Sequence, residues 1–200
     1  PGKGHASPIV WKDDVFIVTT VEDKRQLLCL DRRSGKVKWS ETVLTSPQER
    51  IHRRNSLASS TPATDGEQVY VSFLDGQDMC VVAYSLTGKR RWEKRPGVFS
   101  SVHGYCSSPI LWKDKVIING DHDGKSYLAA LDRESGKIRW KVKGGKTITR
   151  TVIKVYNQAT KNTFTVKVEG DGAETRLTGK EEGKGKTEIN YIIPFHIEDP

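Results

Sequence analysis

Residues 108–140 read SPILWKDKVIINGDHDGKSYLAALDRESGKIRW, and this stretch contains every element of a pattern that occurs three times in the chain. The pattern begins with Ser/Thr-Pro, continues through short apolar runs separated by polar turns, and ends in Gly-Lys followed by Trp. The other copies occupy residues 7–39 and 61–92, and the closing tryptophans lie 53 and 48 residues apart. A repeat of this length is typical of a propeller or a linear array.

Each copy predicts a four-stranded antiparallel sheet, because its apolar runs are short, rich in Val, Ile, Leu, Phe and Tyr, and bounded by Asp, Gly, Lys or Ser. The first turn of each copy is predicted at 12–14, 65–67 and 113–114. In the last hairpin, a glycine adopts positive φ at low cost and an aspartate accepts hydrogen bonds from nearby amides. The glycines are Gly35, Gly88 and Gly136; the aspartates are Asp31 and Asp132, with Ser85 in the second copy.

The closing tryptophans are expected to pack on the neighbouring sheet, since this hairpin directs them out of their own. A buried Trp contributes roughly 150–250 Å² of contact and needs a partner for its indole N–H. The residues concerned are Trp39, Trp92 and Trp140.

Residues 7–142 resemble the PQQ-like β-propeller repeats of quinoprotein dehydrogenases and of envelope assembly lipoproteins, whose blades end in Asp…(Ser/Thr)-Gly-x-x-x-Trp. The run HRRNSLASSTPATDGEQVYVSF and the later HGYCSSPILWKDKVII are similar to bacterial PQQ-binding-like β-propeller repeat proteins. The resemblance implies an all-β fold of three consecutive four-stranded blades, at about 7–44, 60–97 and 107–143. It also implies a periplasmic or extracellular location.

The pattern ends after Trp140, so residues 1–143 are predicted to be a partial propeller and 144–200 a β-rich extension. Alternating apolar residues predict further strands in the extension: Phe164, Val166 and Val168 on one face, and Ile189, Tyr191, Ile193, Phe195 and Ile197 on another. Residues 147–197 are weakly similar to the immunoglobulin-like C-terminal domain of FixG-type oxidase accessory proteins, which implies part of a sandwich. Propellers usually have four to eight blades, so three blades are expected to leave open edges that favour self-association.

Charge, apolar runs and cysteine spacing limit the classes of function that this chain can have. The formal net charge is +8, with its densest basic cluster at residues 89–95, which we interpret as a solvated outer hairpin. No nucleic-acid-binding module and no transmembrane-length apolar run is present, and the first residues have neither an initiator Met nor a signal-peptide pattern.

Cys29 and Cys80 lie in apolar strands and are predicted to be buried, whereas Cys106 is predicted to be exposed. Their spacing predicts neither zinc binding nor a structural disulfide.

Polar residues precede each Ser/Thr-Pro, where the chain would enter the innermost strand of a blade. We expect them to surround one mouth of the central channel and to bind a polar or anionic ligand or a protein partner. The candidate ligand-binding residues are His5, His52, Arg53, Asn55, His103 and Tyr105. The alternative, given somewhat more weight, is that these groups satisfy backbone hydrogen bonds at the channel entrance.

No catalytic or metal-binding residues are predicted. Residues 121–124, DHDG, are interpreted as a turn rather than as part of a metal site. Quinoproteins commonly hold the quinone between a Trp and an adjacent cysteine pair beside Ca²⁺, and this chain has no adjacent cysteines. Pyrroloquinoline quinone is therefore implied by the resemblance alone.

Three functions remain as hypotheses. The leading one is a noncatalytic binding or scaffold module of an envelope or secreted protein, with its partner bound by the blade-top loops. The others are a fragment of a quinone-dependent dehydrogenase and an outer-membrane assembly scaffold. The fold itself does not discriminate among them.

Overall fold

The computed structural model describes residues 2–47, 51–143, 148–157, 162–170, 176–181 and 184–187. The chain divides into two compact units, Pro1–Gly144 and Gly145–Pro200. The described residues form strands, turns and loops without a helix. None of them therefore forms an apolar helix long enough to cross a bilayer.

The first unit contains three four-stranded antiparallel sheets, each with its strands paired in chain order. Blade 1 consists of β1 (Ile9–Trp11), β2 (Asp14–Val21), β3 (Lys24–Asp31) and β4 (Val37–Thr45). Blade 2 consists of β5 (Ala63–Thr64), β6 (Gln68–Asp75), β7 (Asp78–Ser85) and β8 (Arg90–Lys94). Blade 3 consists of β9 (Ile110–Trp112), β10 (Lys115–Gly120), β11 (Tyr127–Asp132) and β12 (Ile138–Lys143). The predicted all-β class and its three open blades are confirmed.

The outer hairpin of each blade contains a register shift just before its turn. The shifts lie at Cys29/Leu30, Ala83/Tyr84 and Ala130/Leu131. In blade 1 the turn is closed by the Asp31 amide, which donates to the Lys36 carbonyl at 2.8 Å. In blade 2 the Ser85 amide donates to Lys89, so this turn is one residue shorter. The shorter turn explains why Pro and Trp are 30 residues apart in the second copy and 31 in the others.

The predicted turn chemistry is confirmed. The Asp31 carboxylate accepts the Ser34 amide at 2.8 Å, and Asp132 accepts the Ser135 amide at the same distance. Ser85 replaces the carboxylate with a hydroxyl that accepts the Lys89 amide at 3.1 Å. The turn glycines adopt left-handed φ values, at +68° for Gly35, +85° for Gly88 and +67° for Gly136.

The hydrophobic core lies between blades rather than within them. Phe16, Val18 and Leu27 of blade 1 pack with Val71 and Val82 of blade 2. A second cluster joins the opposite face of blade 2 to blade 3, and it includes Tyr70, Val81, Trp92, Val116 and Ile118. Each sheet therefore depends on its neighbour for burial of its apolar side chains.

Two of the closing tryptophans lie on the outer turn of the following blade. The Trp39 Nε1 donates to the Leu86 carbonyl at 3.0 Å, and the Trp92 Nε1 donates to the Arg133 carbonyl at 2.8 Å. Each indole also lies over the turn glycine of that blade, Gly88 or Gly136.

The Ser/Thr-Pro residues form a second connection between blades. The Ser7 amide donates to Thr61 Oγ1 at 3.1 Å, and the Thr61 amide donates to Ser108 Oγ at 3.0 Å. Each hydroxyl thus accepts the amide of the equivalent residue in the preceding blade. This arrangement gives the hydroxyls at the start of the second and third repeats, Thr61 and Ser108, a structural role.

The second unit contains one four-stranded antiparallel sheet, also paired in chain order. Its strands are β13 (Ile148–Asn157), β14 (Asn162–Gly170), β15 (Arg176–Glu181) and β16 (Lys184–Thr187). Phe164, Val166 and Val168 occupy alternating positions of β14, as predicted. The second predicted apolar set, Ile189 to Ile197, lies outside the described residues.

Candidate functional site

Two loops meet where the chain enters blades 2 and 3, and they bring three of the predicted site residues together. The Asn55 Nδ2 donates to the His103 carbonyl at 2.7 Å, and the His52 amide points at the same oxygen from 3.5 Å. The imidazoles of His52 and His103 lie 5.6 Å apart, centroid to centroid. Residues 48 positions or more apart in sequence therefore form one cluster.

Asn55 holds this cluster together through its side chain. Its Oδ1 accepts the Ser56 amide at 2.8 Å and the Ser59 hydroxyl at 2.5 Å, while its Nδ2 reaches His103. The Asn55 amide also donates to the His52 carbonyl at 2.8 Å. The half-buried Asn55 therefore fixes the loop.

The side chains of His52, His103 and Arg53 are exposed to solvent, unlike the half-buried Asn55. His52 uses Nδ1 to accept the Arg54 amide at 3.3 Å, and no hydrogen bond among the described residues involves its Nε2. Arg53 adds a permanent cation between His52 and Asn55 in sequence. Imidazole and guanidinium N–H groups are donor types that suit a carboxylate or phosphate.

Tyr105 is in the same chain segment, but its hydroxyl lies in the interior. It contacts Ser72 Oγ at 2.9 Å, and Ser72 contacts Ser60 Oγ at 2.8 Å. Burial raises the pKa of Tyr105. Its hydroxyl therefore stays protonated and links blade 2 to the loop that enters blade 3.

His5 is exposed, and its backbone joins the start of blade 1 to the cluster loop. The His5 amide donates to the Ala58 carbonyl at 3.0 Å. The hydrogen bonds and ring contacts of the described residues do not include the His5 imidazole. The cluster thus consists of His52, Asn55 and His103, flanked by Arg53.

The sequence predicts a turn at residues 121–124, but it gives no signal that this turn contacts the loop that leads to His103. The Ser100 amide donates to His122 Nδ1 at 3.2 Å, and the Gly124 amide donates to the same atom at 2.9 Å. The Asp123 amide in turn donates to the Ser100 carbonyl at 3.0 Å. Because Nδ1 accepts two amides, the His122 proton lies on Nε2, which faces the Lys125 carbonyl at 3.2 Å.

Some side chains of the basic segment 89–95 extend into solvent, and others contact neighbouring strands. Lys89 and Arg91 are exposed. The Arg90 guanidinium, in contrast, donates to the Val43 carbonyl of blade 1, and Arg95 pairs with Asp75 at 2.8 Å. The segment therefore contributes to the contact between blades as well as to the surface charge.

All three cysteines are free thiols, two buried and one exposed, as predicted. Burial raises the pKa of Cys29 and that of Cys80 to about 12, so neither thiol is a nucleophile at neutral pH. In the part of the chain that the structure describes, no three His, Cys, Asp or Glu side chains form a metal-binding group.

The described residues do not fit a pyrroloquinoline quinone site. Trp39 and Trp92 are held against the following blades, and Trp11 lies over Gly66. Trp112 has the ammonium groups of two lysines over its ring, at 4.4 and 5.0 Å. These four of the five tryptophans have protein partners, and no two cysteines are adjacent, so the described residues do not form an assignable quinone site.

A protein-family model described as outer membrane protein assembly factor BamB matches residues 2–174. The chain belongs to this family. The match continues past blade 3 into the second unit, where the four strands are again paired in chain order. Comparison with curated protein sequences finds no match.

Solved structures with the same fold include two dehydrogenases. Quinohemoprotein alcohol dehydrogenase ADHIIG from Pseudomonas putida HK5 is 19% identical with a TM-score of 0.55, covering 92% of this chain and 33% of that one. Quinohemoprotein alcohol dehydrogenase from Comamonas testosteroni is 16% identical with a TM-score of 0.56, covering 95% and 35%. BamB from Moraxella catarrhalis is 15% identical with a TM-score of 0.49, covering 92% and 48%.

This BamB-family chain spans about a third of the length of those dehydrogenases. At such low identity the likeness shows the propeller fold alone. The immunoglobulin-like resemblance of residues 147–197 receives no support from these matches.

Proposed function

We propose that this chain is a noncatalytic binding and scaffold module of an envelope or secreted protein. The observation that carries the proposal is the paired His52 and His103, whose loops are joined through Asn55 and the His103 carbonyl. Binding residues are commonly presented by loops on a rigid scaffold. Here each loop leads directly into a blade, which limits its freedom before a partner arrives.

The chemistry of the cluster favours an anionic group on a protein segment or a small ligand. Arg53 supplies a planar pair of donors for a carboxylate, and the two imidazoles supply further hydrogen-bonding nitrogens. Because the loops are already hydrogen-bonded to each other, binding loses less conformational entropy than it would from mobile loops.

The proposed location follows from the family, which is described as an outer membrane assembly factor. An assembly scaffold of the outer membrane is accordingly the specific form of the proposal that the family favours. Copurification of an outer-membrane protein with the wild-type chain, and its loss with the triple variant H52A/R53A/H103A, would support that form.

The test measures binding of a fluorescein-labelled decaglutamate peptide by anisotropy. We expect the triple variant H52A/R53A/H103A to weaken binding strongly. The matched control is R33A/R91A, which removes two exposed cations elsewhere. Equal weakening by both variants would show nonspecific attraction and contradict the proposed site.

The second candidate is a fragment of a quinone-dependent dehydrogenase, favoured by the fold of the dehydrogenases described above. We expect that added pyrroloquinoline quinone and Ca²⁺ give neither a bound-cofactor spectrum nor dye-linked alcohol oxidation. Stoichiometric binding of the quinone would make the dehydrogenase the better assignment.

A further inference from the structure

The loop that carries His103 is attached to a turn of blade 3. We call residues 99–104 the His103 loop and residues 121–126, which join β10 to β11, the clasp turn. Among the described residues, three hydrogen bonds connect the two segments. The Ser100 amide donates to His122 Nδ1 at 3.2 Å, the Asp123 amide donates to the Ser100 carbonyl at 3.0 Å, and the Val102 amide donates to Asp123 Oδ2 at 3.3 Å. The side-chain acceptors in this contact are thus an imidazole and a carboxylate, both of which are titratable.

The His122 imidazole makes this contact in one protonation state only. Its Nδ1 accepts the Ser100 amide and also the Gly124 amide, at 2.9 Å, so this nitrogen carries no proton. A protonated imidazole has N–H donors at both nitrogens, and a proton on Nδ1 would face two amide N–H groups. Histidine is the side chain whose charge ordinarily changes between about pH 8 and pH 5. The contact is therefore complete while His122 is neutral, and it is lost as the pH falls and the imidazole takes up a proton.

The half-buried His122 ring lies between two aromatic side chains. Its centroid is 5.3 Å from that of Phe99 in the His103 loop and 6.5 Å from that of Tyr127 in β11. The charged groups on the elements packed around the ring are Asp121, Asp123 and Lys125 of the clasp turn, Lys141 of β12, whose ammonium lies 4.1 Å from the Tyr127 centroid, and Asp78 of β7. The titratable groups on the same elements are the Tyr127 hydroxyl and the His103 imidazole. Their charges influence the pH at which the proton is taken up, whereas the two amides determine what its uptake breaks.

The His103 loop connects this contact to the candidate site over three residues. Phe99 is fixed at one end, where its amide donates to the Gln77 carbonyl at 2.7 Å. His103 lies near the other end, where its carbonyl accepts Asn55 Nδ2. The hydrogen bonds that connect residues 100–102 to the rest of the described chain go to the clasp turn. Loss of the His122 bond therefore loosens the segment that leads into His103.

We infer that His122 positions the His103 loop as a pH-sensitive clasp: neutral His122 holds the loop in place, and protonation of Nδ1 releases it and weakens binding at the candidate site. The part that concerns binding rests on the proposed function. A loosened loop must be ordered again when a ligand binds, and this ordering lowers the affinity. Acid also adds charge to His52 and His103, which strengthens attraction to an anion. The effect of His122 is therefore measured against a variant that lacks only its titration.

His122→Asn separates the hydrogen bonds from the charge. The Asn Oδ1 is bonded to Cγ, as the His Nδ1 is, and it accepts amides without titrating. In a ¹⁵N NMR titration of the full chain between pH 7.5 and pH 5.5, the wild-type amide resonances of Ser100 and Gly124 should shift with the midpoint of the His122 ring. In H122N they should stay in place.

The matched control is His5→Asn, since the described hydrogen bonds do not include the His5 imidazole, and here the wild-type shifts should persist. The wild-type titration decides the question without any variant. Amides of Ser100 and Gly124 that do not follow the His122 ring would overturn the inference, as would equal shifts in H122N.

Binding of the fluorescein-labelled decaglutamate peptide at pH 7.5 and pH 5.5 tests the consequence for the site. Wild type and H122N should bind equally at pH 7.5, and wild type should bind severalfold more weakly than H122N at pH 5.5. Both proteins contain His52 and His103, so protonation of those rings cancels in the comparison. Equal affinity at pH 5.5 would overturn the inferred regulation. Absence of binding by both proteins at both pH values would instead contradict the proposed function, and the NMR titration would still decide whether the clasp opens.

Discussion

Trp92 packs on Gly136 of the following blade so closely that a methyl group at Gly136 would lie 2.6 Å from ring atom Cε3. The same indole donates its N–H to the Arg133 carbonyl at 2.8 Å. Gly136 is therefore required for two reasons, its left-handed φ and the space that the indole occupies. Gly35 has the same left-handed φ, but a methyl group there would meet no atom within 4 Å.

Gly136→Ala is expected to destabilise the protein more than Gly35→Ala. Both substitutions carry the backbone cost of about 1–2 kcal/mol for a left-handed L-residue. Gly136→Ala adds a steric cost of about 1–3 kcal/mol, because the new methyl displaces Trp92. Urea unfolding of the two variants measures the difference, and equal losses would contradict the docking geometry.

Asn55→Ala is expected to lower stability by about 1–3 kcal/mol, since it removes the side-chain hydrogen bonds of Asn55 to Ser56, Ser59 and the His103 carbonyl. His103→Ala should change stability by no more than about 0.5 kcal/mol, because Asn55 contacts the His103 backbone rather than its imidazole. Thermal and urea unfolding test both values. A large loss from His103→Ala would show that the imidazole is structural.

Asp132→Asn is expected to destabilise the protein at neutral pH and to have a smaller effect in acid. Hydrogen bonds from the Ser135 hydroxyl and the Arg139 guanidinium lower the pKa of Asp132 below its ordinary value. The folded state therefore favours the carboxylate, so this stabilisation is fully present above the unfolded pKa of about 4 and is lost progressively as the pH falls from there through the lower folded pKa. Unfolding free energies at pH 6 and pH 3 should show a smaller difference between variant and wild type at pH 3. A constant difference across that range would contradict the assignment.

Cys106 is expected to react with Ellman's reagent in the native protein, and Cys29 and Cys80 only after denaturation. Cys106 is exposed, whereas the other two thiols are buried, with pKa values raised to about 12. One equivalent released before denaturant and three after it is the expected count. Cys106→Ser should remove the fast reaction entirely.

Much of the fold could be predicted because its signals are local. Alternating apolar residues, the turn aspartates and the glycines at Gly35, Gly88 and Gly136 act within a few residues of one another. The candidate site was less predictable than the fold. Tyr105 and His103 are two residues apart, yet the Tyr105 side chain is buried and the His103 side chain is exposed. The Tyr105 hydroxyl contacts the Ser72 hydroxyl in another strand, and no sequence pattern near Tyr105 indicates this partner.

The sequence by itself determined the three blades, their strand order and the turns that end them, because hydrogen bonding and side-chain alternation within a sheet depend on neighbouring residues. Tertiary structure alone decided which distant groups meet: Asn55 with His103, Thr61 with Ser108, and Asp65 with Arg133. These partners come from successive repeats, and no periodicity encodes which atoms approach to hydrogen-bonding distance. That outcome depends on how one sheet packs its apolar face on the next, and this packing places the candidate site.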